Sequence, residues 1–158
     1  MNEVKLTFHR ASTESKVLIP LAPECVKAGF PSPAADSYAP EIDLNELLVQ
    51  HKEATFYVRI SGDSMTGAGI LDGDLAVVDR SLQASDGDFV IAYVNGEFTI
   101  KQFEADGSGE RGWLVPWNDS YPRIEVAAED DFRIWGVVTH VVHTVRKVRK
   151  QKGGHTQR

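Results

Sequence analysis

The sequence predicts a mainly β fold, a strongly bent, barrel-like assembly, and three observations carry that prediction. Short apolar runs rich in β-branched and aromatic residues recur from Thr55 onward. Turn residues separate them, and no long helical periodicity intervenes. At the centre, Asn95-Gly96 divides DFVIAYV from EFTIKQF. That dipeptide tolerates the positive φ angles of a type I′ hairpin turn.

Taken in order, KVLIPLAP offers one short strand within a mixed N-terminal arm, and a proline-bearing stretch, AGFPSPAAD, follows it. In EIDLNELLVQHKE, Ile42, Leu44, Leu47 and Leu48 predict a brief helical turn after Asp43, a residue suited to an N-cap. TFYVRIS alternates and reads as a strand, and ILDGDLAVVDRS reads as a turn followed by a buried strand. The hairpin comes next, and WLVPW, RIEVA and FRIWGVVTHVVHTV supply the remaining strands. The expected organisation is an arm over 1–28, a linker with a helical turn over 29–50, a β-rich domain over 51–145 and a basic tail over 146–158. The arm is expected to be flexible.

Composition narrows the function. At 158 residues, 42% of them hydrophobic and 25% charged, the chain suits one globular domain that can bury a core. No apolar run reaches the ~20 residues a bilayer demands, and no signal-peptide core is evident, so a cytoplasmic protein without membrane contact is expected. Cys25 is the single cysteine, which rules out an internal disulfide and fits a reducing compartment. The histidines have no zinc-ligand spacing, and neither metal nor cofactor is expected. Six of the 17 Lys/Arg and none of the 23 Asp/Glu fall in 146–158, leaving 11 against 23, a net −12, on residues 1–145. An acidic body repels a phosphate backbone, which argues against direct sequence-specific DNA binding. The basic tail reads as a solvated end.

Several residues could carry chemistry. Ser64, in SGDSMTGAG, is either a turn residue or a nucleophile, and a nucleophile needs a base. His140 and His143, read in one strand three residues apart, would point to opposite faces. Lys101, in EFTIKQF, is either a solvated strand charge or that base. The period of two puts Thr99, Lys101 and Phe103 on one face, where a hydroxyl and an apolar ring could orient and desolvate the amine. Desolvation disfavours the ammonium form, and only a neutral lysine can take the Ser64 proton near pH 7. Asp72-Gly73-Asp74 and Asp86-Gly87-Asp88 read as turn formers. Trp113, Trp117 and Trp135 read as core or dimer-surface aromatics.

SGDSM, ILDGDLAVVDRS and EFTIKQF, with Ser64 and Lys101 set 37 positions apart, resemble the Ser-Lys self-cleaving peptidases of family S24, the LexA repressors and UmuD mutagenesis proteins. AGFPSPAAD and IDLNELLVQH resemble UmuD and its plasmid-borne relatives in particular, and FRIWGVVTHVV resembles the family's closing strand. The resemblance spans roughly 26–145. It implies the fold of the LexA/UmuD C-terminal domain, with Ser64 as nucleophile, Lys101 as general base and Ala28-Gly29 as the scissile bond. The backbone N–H groups of Asp63 and Ser64 are candidates for the oxyanion hole, and Thr99 is a candidate for holding the lysine. Ala-Gly is the bond of LexA and the plasmid relatives, where the chromosomal UmuD form has Cys-Gly.

The resemblance further implies self-cleavage in the SOS response, stimulated by a RecA filament on single-stranded DNA. The product, Gly29 to Arg158, would be a homodimer that supports a UmuC-like Y-family polymerase in translesion synthesis. A repressor is disfavoured, because 28 residues before Gly29 are too few for a helix-turn-helix domain. The other reading is a non-catalytic dimeric binding module that regulates a polymerase.

Overall fold

A computed structural model describes residues 8–11, 15–22, 28–29, 40–108 and 111–146. Cys25, Pro31, Pro33 and the tail beyond Arg146 lie outside the described residues. Ten strands form around one large antiparallel sheet: β1 (Phe8–Arg10), β2 (Leu18–Pro20), β3 (Glu41–Asp43), β4 (Thr55–Arg59), β5 (Leu75–Asp79), β6 (Phe89–Val94), β7 (Glu97–Ala105), β8 (Arg111–Val115), β9 (Ile124–Ala127) and β10 (Phe132–Val142). Eight of them are ordered β1-β4-β5-β10-β6-β7-β8-β9, and β2 pairs with β3 apart from the rest. The mainly β expectation holds. The sheet is bent but does not close on itself, since β1 and β9 are its two edges.

Local sequence explains most elements. Asn95 (φ 48°) and Gly96 (φ 87°) both take the positive φ that a type I′ turn demands, and they fix the β6–β7 register with Val90 opposite Lys101. The helix α1 (Leu44–Leu48) starts where expected, with the Asp43 carboxylate accepting from the Asn45 N–H at 2.9 Å. The register of β10 shifts against β6 between Ile134 and Gly136, and against β5 between Val138 and His140. Such irregularities bend a long strand and re-aim its side chains.

Each face of β6–β7 accordingly covers its own core. One cluster joins Val58, Ile60, Met65, Ile70, Ala76, Val78, Ile91 and Ile100, flanked by Phe8, Phe98 and Trp135. The other joins Val90, Ala92, Leu114 and Val126, flanked by Phe103, Ile124 and Ile134. Met65, at 1% exposure, is among the most deeply buried large side chains, and it anchors the turn that carries Ser64.

The structure corrects one detail and adds two strands. β10 ends at Val142, so His143 lies beyond it rather than in a strand shared with His140. β1 and β3 were not expected. Each is three residues long, too short to show alternation, and each forms against a partner distant in sequence.

Candidate active site

Ser64 and Lys101 meet across 37 residues of sequence. Ser64 follows β4, in the turn leading to a single 3-10 turn at Thr66–Ala68, and Lys101 sits mid-strand in β7. The Lys101 Nζ lies 3.0 Å from Ser64 Oγ, 2.8 Å from Thr99 Oγ1 and 2.9 Å from the Ile100 carbonyl. Thr99 and Lys101 share a strand face, as the period of two predicts. Phe103, also on that face, packs into the second core cluster.

The electrostatics follow from burial. Lys101 is 7% exposed and has no carboxylate partner among the described residues. Burial alone pushes its amine down to about 8. An ammonium would donate to all three neighbouring oxygens. The neutral amine has two N–H groups and one lone pair, so it can donate to Thr99 and Ile100 while its lone pair accepts the Ser64 O–H. Both protonation states therefore find partners, and losing the proton turns Lys101 from a donor to Ser64 into an acceptor from it.

A loop after β8 fixes the distance between the two groups. The Trp117 N–H donates to the Ser64 carbonyl at 2.9 Å, and the Trp117 carbonyl accepts from the Gly67 N–H at 2.7 Å. Its indole Nε1 donates to Gln102 Oε1, beside Lys101, at 2.9 Å. One residue thus ties the serine turn to the lysine strand. Gly67 must be glycine for this approach, since a Cβ there would stand 2.6 Å from the Trp117 carbonyl oxygen. Asn118 donates to the Asp63 carbonyl at 3.0 Å, and the Tyr121 hydroxyl donates to the Asp63 carboxylate. The backbone N–H groups of Asp63 and Ser64 donate to no group among the described residues. Beside this turn runs an open cleft of about 470 Å³, lined in part by Gly67, Gln102, Trp117 and Asn118.

Sequence reasoning missed the role of this loop. Of the two roles expected for it, core or dimer surface, the core is excluded for Trp117 by its 43% exposure; it acts on this site chiefly through its backbone, which no residue-type signal reveals. Trp135 does pack in the core, against Phe8 and Phe56. The two Asp-Gly-Asp segments are turn formers as expected, with Asp74 accepting from the Leu71 N–H and Asp88 from the Ser85 N–H. Two histidine pairs were not foreseen. His51 Nδ1 lies 2.5 Å from Asp79, and His143 Nδ1 lies 2.6 Å from Asp74. Their members are 28 and 69 residues apart, beyond any local motif.

The Ala28–Gly29 bond is not in this site. Both residues are exposed, and a Cβ on Gly29 would meet nothing within 4 Å. Among the described residues no group of His, Cys, Asp and Glu could hold a metal ion, and no helix is long and apolar enough to cross a membrane.

Comparison with known proteins places the chain in a family. The Peptidase S24-like family profile matches residues 20–139. Protein ImpA of Salmonella typhimurium is 41% identical over 145 residues, 90% of this chain and 97% of its own. Protein MucA of Escherichia coli is 40% identical over 139 residues, 87% and 93% of the two chains. Protein SamA of Salmonella typhimurium strain LT2 is 43% identical over 127 residues, 80% and 86%. With about three quarters of its length matched by one profile and with full-length relatives at this identity, the chain belongs to the Peptidase S24-like family.

Proposed function

We propose that this protein is a self-cleaving serine peptidase in which Ser64 cuts the Ala28–Gly29 bond with Lys101 as general base. The observation that carries the reading is a buried amine with no counter-ion among the described residues, 3.0 Å from a hydroxyl. Neutral Lys101 takes the Ser64 proton as Oγ attacks the Ala28 carbonyl carbon. The oxyanion of the tetrahedral intermediate accepts hydrogen bonds from the free N–H groups of Asp63 and Ser64. Protonated Lys101 then gives its proton to the departing Gly29 nitrogen, leaving Ala28 esterified to Ser64. Water, deprotonated by the same amine, hydrolyses that ester and restores the hydroxyl. Thr99 and the Ile100 carbonyl keep the amine aimed throughout.

The exposed position of the bond supports regulated cleavage. The arm must enter the cleft before attack, so the rate scales with the population that has the bond in place and Lys101 neutral. An activator raises that population only as far as it binds the cleavage-ready state better. The activator is a RecA filament on single-stranded DNA, and the setting is the SOS response in the cytoplasm. The homodimeric product, Gly29 to Arg158, supports a UmuC-like Y-family polymerase in error-prone translesion synthesis. Likeness to ImpA, MucA and SamA over most of their lengths supports this setting.

The test is intact-mass analysis of purified protein held at about pH 7 and about pH 10, beside Ser64→Ala and Lys101→Ala. A fragment starting at Gly29, faster to form in alkali and absent from both variants, is the expected result. Its absence even with RecA, ATP and single-stranded DNA added would reject the peptidase reading in favour of a binding module.

A further inference from the structure

The segment that this cleavage would detach is an integral part of the sheet. β1 is an edge strand antiparallel to β4, with Phe8 opposite Val58 and Arg10 opposite Phe56. The Phe8 ring lies 5.0 Å from Phe98 and 4.7 Å from Trp135, against the larger core cluster. Arg10 pairs with Glu53, and Ala11 is buried at 5% exposure.

Antiparallel alternation assigns the β4 amides. The Ala11 N–H donates to the Thr55 carbonyl at 3.2 Å, so His9 and Tyr57, two residues further on, form the next hydrogen-bonded pair. On the other side of β4, Arg80 donates to Ala54 and Ile60 donates to Asp74, which turns Phe56 and Val58 toward β5. Tyr57 N–H therefore depends on β1, while those of Phe56 and Val58 do not.

We propose that the β4 edge, with the rings of Phe98 and Trp135 beneath Phe8, is an exchangeable docking site for an extended segment of a partner protein, closed in the uncut chain by residues 8–11. The seated strand specifies the occupant. It is an antiparallel stretch with an aromatic residue at the Phe8 position and a cation two residues later, placed to pair with Glu53. This inference rests on the reading that Ala28–Gly29 is cut. While tethered, β1 meets its site at an effective concentration on the order of millimolar. Once severed, the fragment must hold on at its free concentration, by the three paired residues and aromatic anchor of β1 and the short, exposed β2–β3 pair. Its departure bares the backbone groups of Thr55 and Tyr57 and the rings beneath Phe8, the features that strand addition uses.

Amide exchange followed by NMR tests the proposal. In uncleavable Ser64→Ala protein, Tyr57 is protected, and adding Phe8→Ala speeds its exchange by about tenfold or more while Phe56 and Val58 stay unchanged. Self-cleaved protein, freed of its fragment by gel filtration and held at about 10 μM, shows the same selective loss. A synthetic peptide of residues 5–14 restores protection of Tyr57, and its Phe8→Ala counterpart does not. The proposal is overturned if the cleaved protein keeps Tyr57 protected, if Phe56 and Val58 lose protection with it, or if the peptide has no effect. Protection that returns with rising protein concentration alone would assign the site to a second copy and overturn the partner assignment. If no fragment forms, the cleavage reading fails, and the Ser64→Ala pair of proteins still tests whether Phe8 holds the edge.

Discussion

Lys101 and Asp79 are almost equally buried, 7% and 4% exposed, yet their surroundings are opposite in kind. Around Lys101 stand two hydroxyls and a carbonyl, all neutral. Around Asp79 stand the Ser81 N–H at 2.8 Å, the Ser81 hydroxyl at 2.6 Å and His51 at 2.5 Å. Burial pushes the Asp79 carboxyl up, but these donors together outweigh it and hold the group below the ordinary range. Nothing of the kind offsets the burial of Lys101. One buried charge is kept and fastens β5 to the turn before β4. The other is held weakly, so that a useful fraction of the amine is neutral near pH 7 and can take a proton. A buried ionisable group without a counter-charge is a cost to the fold, and in the proposed mechanism that cost falls where a base is needed.

The largest effect that would break the comparison lies in cleavage itself. Ser64→Ala and Lys101→Ala are expected to slow self-cleavage by at least about a thousandfold at every pH, followed by intact mass. Lys101→Arg is the sharper variant, because a guanidinium stays charged, and it is expected to remain inactive even at about pH 10. His51→Ala, by contrast, should leave the rate within about threefold. An active Lys101→Arg protein would show that the neutral amine is not the base.

Stability should move in opposite directions at the two sites. Asp79→Ala leaves the Ser81 donors and His51 without their acceptor, and a loss of about 2–4 kcal/mol is expected in urea unfolding at pH 7. Lys101→Met removes a buried amine and is expected to gain about 1–3 kcal/mol at the same pH. The pH dependence fixes the sign. The Lys101 pKa is about 8 folded against 10.5 unfolded, so between those values the unfolded chain binds more protons. Wild-type stability therefore rises with pH across that window, by up to about 3 kcal/mol at 1.36 kcal/mol per unit, and the advantage of Lys101→Met shrinks. Asp79 runs the other way. Its contribution is full above its unfolded value of 3.8 and is lost as pH falls through its lower folded value.

Smaller effects belong to the groups that aim the dyad. Trp117→Phe keeps both backbone bonds but loses the indole bond to Gln102, and about a tenfold slower cleavage with unchanged unfolding is expected. Thr99→Val removes one of the three acceptors around the amine. A fall of about three- to tenfold is expected, recovered in Thr99→Ser, which restores the hydroxyl.

Much of this was legible in the sequence, where local rules act. Asn95-Gly96 specified the hairpin that sets the register of β7, and the period of two then put Thr99 beside Lys101. Asp43 capped α1 as its residue type suggests. Interactions between distant residues were not legible. No local pattern announces that His143 will reach Asp74, that Phe8 will pack on Trp135, or that a loop after β8 will hold Ser64 by its carbonyl. Those contacts exist because the bends in β10 and the strand order bring them together, and strand order is a property of the whole chain. The exposed apolar side chains of Leu18, Ile19, Leu44 and Leu47 belong to this second class, since the short β2–β3 pair leaves both Leu18 and Ile19, on its opposite faces, uncovered.

The most direct test of the central claim is a titration of the lysine side chains in Ser64→Ala protein, labelled with 13C at Cε and followed by NMR. One resonance, assigned by its loss in Lys101→Met, is expected to titrate near 8, with exposed lysines near their ordinary 10.5. A Lys101 resonance that titrates together with the exposed lysines would contradict the account, because almost none of the amine would then be neutral near pH 7 to take the Ser64 proton.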